Sequence, residues 1–340
     1  MPEPVFHSSQ QFKQHFIQQL QAMTAQQELG VFILALANAI SNAHIYQALA
    51  GALAAQFEHI KKQLAQSSST SMQALPPDDL SVFNALSQLD LSALPLASSK
   101  KLQHWQLQFN PLRGFRPARN SQSRVDSIYQ PFSHHGFHFN KPFLARETLW
   151  QGTLASARVR ILYNKFPFAD YHGLLLINPE LNKPQFLQQQ DCVEVQQAML
   201  EMAAVEDIGL AYNSLGAFAS VNHQHWQLFV SERDYPVEHI RWSHNNGSQA
   251  YPLSVHCFPS LIEAWPVIDH YQQTQQSFNI LLRAHKVYLL ERKKQGEYPH
   301  SDWTSGFAWS EVMGNIMTTR ERDFQQLTAQ AIEDEFQLLR

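Results

Sequence analysis

Cysteine is nearly missing. Cys192 and Cys257 are the only two in 340 residues, and no CxxC pair exists. Neither a disulfide framework nor a cysteine zinc site is therefore indicated. The chain also lacks GxxxxGK(S/T), HExxH and GxSxG, which removes most of the case for P-loop phosphate handling, zinc proteolysis and serine hydrolysis. A net charge of −4 argues against a general nucleic-acid binder, which shows a basic face. Residues 29–57 contain no Asp, Glu, Lys or Arg. Asn38, Ser41, Asn42, His44 and Gln47 interrupt that stretch, so it holds no run of about twenty apolar residues. Apolar positions recurring every three or four residues predict a buried helical pair instead of a membrane span. The first residues lack a basic start and an apolar core of the signal-peptide kind, and the expected location is cytoplasmic.

What is present falls into three stretches: a helical region over 1–95, and two further regions over 96–242 and 243–340. Residues 1–66 read as helix, rich in Gln and Ala, followed by a serine-rich linker and a short helix near 80–91. The helical region is expected to be an addition packed against the body, not part of the site. Strands are expected over 105–109, 158–166, 173–177, 222–230, 286–290 and 307–318, with helices over 190–205, 269–283 and 322–339. Sheet and helix mix without regular βαβ alternation, which favours an α+β fold.

One stretch carries chemistry. Asn222-His-Gln-His-Trp-Gln-Leu-Phe-Val230 reads as a strand whose successive side chains alternate faces, so His223, His225 and Gln227 share one side. Two imidazoles and an amide would be costly in a core, at about 1–3 kcal/mol for each unpartnered group. Neutral histidine carries a nitrogen lone pair at pH 7 and suits nucleophilic attack on phosphorus, with a covalent intermediate. Gln227 can donate to a phosphate oxygen without titrating. A core histidine pair or a metal site would account for the same spacing, in a chain with 17 histidines. Asn213, Ser214 and Gly216 lie just before this row, where a glycine-permitted turn can offer backbone N–H groups to an anion. Asn222 opens the row itself. Arg113, Arg116, Arg119, Arg124 and Lys141 form the densest basic stretch and suit a polyphosphate. His134, His135 and His138 read as a loop sooner than as metal ligands.

The segment from Gly209 to Gln227 resembles the active-site motif of the histidine-triad superfamily, in the branch where glutamine replaces the third histidine. Within that branch it is similar to the GDP-L-galactose and GDP-D-glucose phosphorylases. The likeness continues through Arg116-Pro117, Arg124-Val-Asp126, Gln130-Pro-Phe132, Phe137-His-Phe-Asn-Lys141, Asn164 with His172, and Trp309-Ser-Glu311 with Gly314. It covers about residues 103–340. Tyr171 departs from it, standing where the family usually has glycine.

The resemblance implies that His225 takes the nucleotidyl group, His223 orients it, Gln227 holds the phosphate and Asn164 contacts ribose or phosphate. It implies an α+β fold of the histidine-triad, galactose-1-phosphate uridylyltransferase-like kind: a mixed, mainly antiparallel sheet with flanking helices, preceded by the helical region. The expected reaction is GDP-hexose plus phosphate giving hexose 1-phosphate plus GDP, with no cofactor and no metal. Its partners are a nucleotide sugar and phosphate, not nucleic acid or membrane, with a homodimer left open. A dinucleoside polyphosphate phosphorylase, a hexose-1-phosphate uridylyltransferase and a non-catalytic nucleotide-binding regulator are the alternatives.

Overall fold

The computed structural model describes residues 5–26, 28–66, 75–115, 124–283 and 285–340. Helix α1 (Ser9–Thr24) starts where the Ser8 hydroxyl accepts the Gln11 N–H at 3.2 Å, satisfying a donor the first turn leaves over. Helix α2 (Leu29–Ser41) is buried on nearly every side, from Val31 through Ile40. A helix apolar all round belongs in a core, and this one lies among α1, α3 (Ala43–Gln66) and α4 (Pro77–Leu86). Asn42 breaks α2 from α3, its side-chain oxygen accepting the N–H groups of His44 and Ile45. Among the described residues no helix is long and apolar enough to cross a membrane.

The body is one antiparallel eight-stranded sheet. Its strands are β3 (Thr148–Leu154), β4 (Ala157–Tyr163), β5 (Gly173–Ile177), β6 (Ile208–Asn213), β7 (Trp226–Val230), β8 (Val255–Phe258), β9 (Ser277–Arg283) and β10 (Lys286–Arg292), in the order β3-β4-β5-β7-β6-β9-β10-β8. Strands from both sides of residue 242 thus share this sheet. The period-two alternation of side chains gives it two apolar faces. Leu210, Tyr212, Trp226, Leu228, Ile280 and Leu282 enter one core with α1–α4, α5 (Gln189–Glu201) and α6 (Leu261–Gln273). Ala211, Phe229, Leu281, Tyr288 and Leu290 enter the other, with α7 (Trp309–Val312), α8 (Glu321–Gln326) and α9 (Ala329–Leu338). A small sheet of β1 (Ser98–Leu102), β2 (Trp105–Phe109) and β11 (Asn315–Thr318) closes that second side, with β2 and β11 parallel.

Several expected elements shift. The helix anticipated over 269–283 is the end of α6 followed by β9, separated by Gln275 in a left-handed conformation. The strand anticipated over 307–318 is α7, then Gly314 at φ +92°, then β11. The last helix divides into α8 and α9, and Thr328 caps the second. The anticipated histidine strand begins only at Trp226, so His223 and His225 lie on the segment leading into β7. The helical region packs against the body so closely that its side chains and those of the sheet form one continuous core.

Candidate active site

The segment before β7 is held by a side chain from another loop. Buried Gln185 accepts the His225 N–H at 2.9 Å and donates to the His225 and Asn213 carbonyls at 3.2 and 2.9 Å. Asn222 is committed the same way: its oxygen accepts the Gln185 N–H, and its amide donates to the Gln130 and Pro131 carbonyls. Gln224 points away from the histidines and donates to Asp191 at 2.9 Å. That carboxylate also accepts from Lys183 and from the Gln188 N–H at the start of α5.

Hydrogen bonding fixes the two imidazoles in opposite tautomers. A carbonyl only accepts, so His225 Nδ1, 2.8 Å from the His223 carbonyl, carries the proton, and the lone pair is on Nε2. At His223 the Phe139 N–H donates to Nδ1 at 3.1 Å, so Nε2 is protonated and donates to the Pro179 carbonyl at 3.3 Å. His223 thus has both nitrogens committed, while His225 keeps one lone pair. Both rings are buried and pack against the Phe139 ring, whose centroid is 4.9 Å from that of His225. Burial lowers both to about 4, so His225 is neutral and nucleophilic at pH 7.

The same logic orients Gln227. The Phe168 N–H donates to His172 Nδ1 at 3.2 Å, leaving His172 Nε2 as a donor to Gln227 Oε1 at 2.8 Å. Asn164 Nδ2 reaches that oxygen too, at 3.3 Å. The Gln227 oxygen is therefore occupied by protein, and its NH₂ remains for a ligand. Burial pulls His172 down to about 3, so it acts as a neutral donor. Asn164 is held in turn from α2: the buried Asn38 amide donates to the Asn164 carbonyl at 3.0 Å and to the Leu34 carbonyl at 2.9 Å.

His225, Gln227, Asn164, Asn213 and Asn222 line one cavity of about 2080 Å³. Arg113, Arg124, Arg146, Lys165 and Arg320 contribute cationic groups to its wall, with Phe137, Phe143, Phe168 and Trp303 as aromatic surface. The Arg113 guanidinium lies 4.5 Å from the Phe168 ring centroid and donates to the Phe166 carbonyl at 2.6 Å. Burial raises the Glu311 carboxyl against the attraction of the Arg113 charge, and that charge adds to the burial that lowers His172, so Arg113 stands at the histidine end of the cavity. The helical region supplies wall as well, through Leu29, Gly30, Val31 and Asp79.

Other candidates make hydrogen bonds within the protein. The Ser214 hydroxyl accepts the Phe278 N–H at 2.9 Å, fastening the end of β6 to β9. Gly216, at φ +81°, makes the following turn, and its carbonyl accepts the Gln295 N–H. Asn213 borders the cavity, but its side-chain oxygen is taken by Asn279 and by the Trp309 N–H. Lys141 donates to the His134 carbonyl at 3.2 Å and is not part of the wall. Arg116 and Arg119 lie outside the described residues. Among the described residues no group of three His, Cys, Asp or Glu side chains could hold a metal ion. His172 was legible only through the family likeness; Gln185 and Asn38 carried no local signal, because their partners are distant in sequence.

Residues 101–229 match the family described as GDPGP1-like, N-terminal domain. GDP-L-galactose phosphorylase 2 of Arabidopsis thaliana is 30% identical over 145 residues, 35% of this chain and 32% of the relative, so the match spans about a third of that relative's length. Among solved structures, yeast Ap4A phosphorylase Apa2 superposes with a TM-score of 0.53 at 14% identity, over 78% of this chain and 94% of that one. The likeness at this identity is one of fold: a mixed α+β architecture on a large antiparallel sheet.

Proposed function

We propose, from the GDPGP1-like match of residues 101–229 and the lone pair left on His225 Nε2, that the chain is a nucleotidyltransferase of the phosphorylase type. In the first step Nε2 attacks the α-phosphorus of a nucleotide sugar. The bond to the bridging oxygen breaks, and hexose 1-phosphate leaves with that electron pair. It needs little acid help, because a phosphate monoester's second pKa is about 6. The Nδ1–H to His223 carbonyl bond supports the charge that develops on the ring. The Gln227 NH₂ donates to a non-bridging oxygen, beside Arg113. In the second step an oxygen of inorganic phosphate attacks the same phosphorus, the P–N bond breaks and a nucleoside diphosphate forms. Gln227 cannot remove a proton from water, whereas phosphate arrives ionised, so phosphorolysis should exceed hydrolysis.

The single observation that carries this reading is the tautomer pair, since a site built only for binding has no need of a buried imidazole with one nitrogen left open. The substrate preferred is a GDP-hexose, from the name of the Arabidopsis relative. A dinucleoside polyphosphate is the second reading, from the name of the yeast structure. Incubation with α-³²P-labelled nucleotide and no phosphate should leave acid-labile, base-stable label on the protein, and His225→Ala should abolish it. Added phosphate should discharge the label as nucleoside diphosphate. Label retained at the wild-type level in His225→Ala, or monophosphate as the main product at saturating phosphate, overturns the reaction class.

A further inference from the structure

The cavity wall carries a second polar cluster, beyond Asn164 from His225. Glu147 closes a 3-10 turn (Pro142–Glu147) just before β3. It lines the cavity together with Lys165 and with Asp79 from the first turn of α4. Lys165 and Asp79 form an ion pair at 2.6 Å. Glu147 is half-buried and makes no hydrogen bond or ion pair with any described residue. Its carboxyl is left uncommitted by the protein, and the cavity it lines is where a partner can come from. Burial, outweighing the attraction of Lys165 and reinforced by Asp79, pushes it up to about 7.

Position along the sheet sets the distance. Thr148 pairs with Leu162, the Asn164 N–H donates to the His172 carbonyl, and Leu174 pairs with Gln227. Glu147 and Gln227 therefore stand toward the same end of the sheet, three strands apart, roughly 14 Å at about 4.8 Å per strand. Lys165 follows Asn164 directly, which brings the cluster next to the phosphate end. One corner is kept open by a missing side chain: a Cβ on Gly30 would come 3.0 Å from Asp79 Oδ2 and 3.6 Å from Lys165 Nζ.

Charge selects the occupant. The Asp79–Lys165 pair is neutral as a unit, and Glu147 adds only negative charge. That end offers a phosphate chain no unpaired cation and offers acceptors to hydroxyl donors. We propose that Glu147, Asp79 and Lys165, with Gly30 as the open corner, form the pocket that reads the hydroxyls of the glycosyl group one phosphate beyond the transferred phosphorus. This rests on the phosphorolytic reading above and deepens it, because it favours a sugar over a second nucleotide as the leaving part.

The test uses the full chain with two substrates that share a base, GDP-glucose and diguanosine tetraphosphate. It adds calorimetric binding of glucose 1-phosphate. Glu147→Gln should lower kcat/KM for GDP-glucose at least tenfold, mostly through KM, and by a factor at least tenfold larger than for the dinucleotide. Gly30→Ala, an exchange that suits a helix, should act in the same direction by filling the corner. Both variants should weaken glucose 1-phosphate binding in parallel. Equal losses on both substrates, or glucose 1-phosphate affinity unchanged in both variants, overturns the proposal. If the wild-type protein turns over no GDP-glucose, the hexose reading of the reaction fails. The pocket is then judged on glucose 1-phosphate binding alone, and absent or Glu147-independent binding overturns it too.

Discussion

Two histidines two residues apart are made chemically different by backbone atoms alone. An N–H aimed at His223 Nδ1 and a carbonyl aimed at His225 Nδ1 impose opposite protonation, so only His225 has a lone pair to use. The same reasoning runs from the Phe168 N–H through His172 to Gln227 and leaves the amide's NH₂ for the ligand. Gln227→Glu keeps an oxygen for His172 and replaces the donor with a second oxygen facing the phosphate. Labelling of His225 should then slow by about 10²–10³-fold, the cost of losing one donor to a developing anion, with thermal stability little changed. Stopped-time labelling checks this, and a loss under threefold would remove Gln227 from phosphate contact. The row of polar residues at 223–227 was legible because two imidazoles and an amide stand out among apolar neighbours. At Ser214 and Lys141 residue type suggests a ligand contact, and the fold adds what the sequence could not show, a hydroxyl that accepts the Phe278 N–H and an ammonium that donates to the His134 carbonyl.

Among the elements, α2 carries more than packing. Its charge-free sequence announced a buried helix, and the burial of Val31 through Ile40 follows from it. The one polar side chain deep within it, Asn38, reaches out to the Asn164 carbonyl. Asn38→Ala leaves that carbonyl and the Leu34 carbonyl short of a donor, and Asn164 loses its anchor. The expected result is a kcat about tenfold lower with KM nearly unchanged, plus a stability loss of about 1–3 kcal/mol. Steady-state kinetics well below the melting temperature separate the two, since a purely structural role would lower the melting temperature alone. Elements with clear periodicity, such as β2 and α5, were readable in the sequence. The stretches 269–283 and 307–318 were not. In each, a short apolar run suits helix or strand equally, and a left-handed residue, Gln275 or Gly314, sets the break.

At the scale of the molecule, one sheet divides two cores, and the helical region fills one of them. A chain starting at Leu96 would expose the α1–α4 side of that core, including the surface around Tyr163, whose hydroxyl donates to the Phe16 carbonyl at 2.6 Å. Such a truncation is expected to aggregate or lose cooperative unfolding, as followed by circular dichroism and calorimetry. A soluble truncation with a sharp thermal transition would show that the sheet side folds without the helices. The parallel pairing of β2 with β11 has a consequence for assembly in time. Ile316 must find Leu107 across some two hundred residues of intervening chain, a long loop whose closure entropy is met only after most other contacts exist. A ribosome that has made everything through Gln227 has delivered His225 but not Trp303, Glu311 or Arg320 of the cavity wall. The emerging chain therefore carries the His225 imidazole before it has an enclosure, and the cavity is completed only as one of the last events of synthesis and folding.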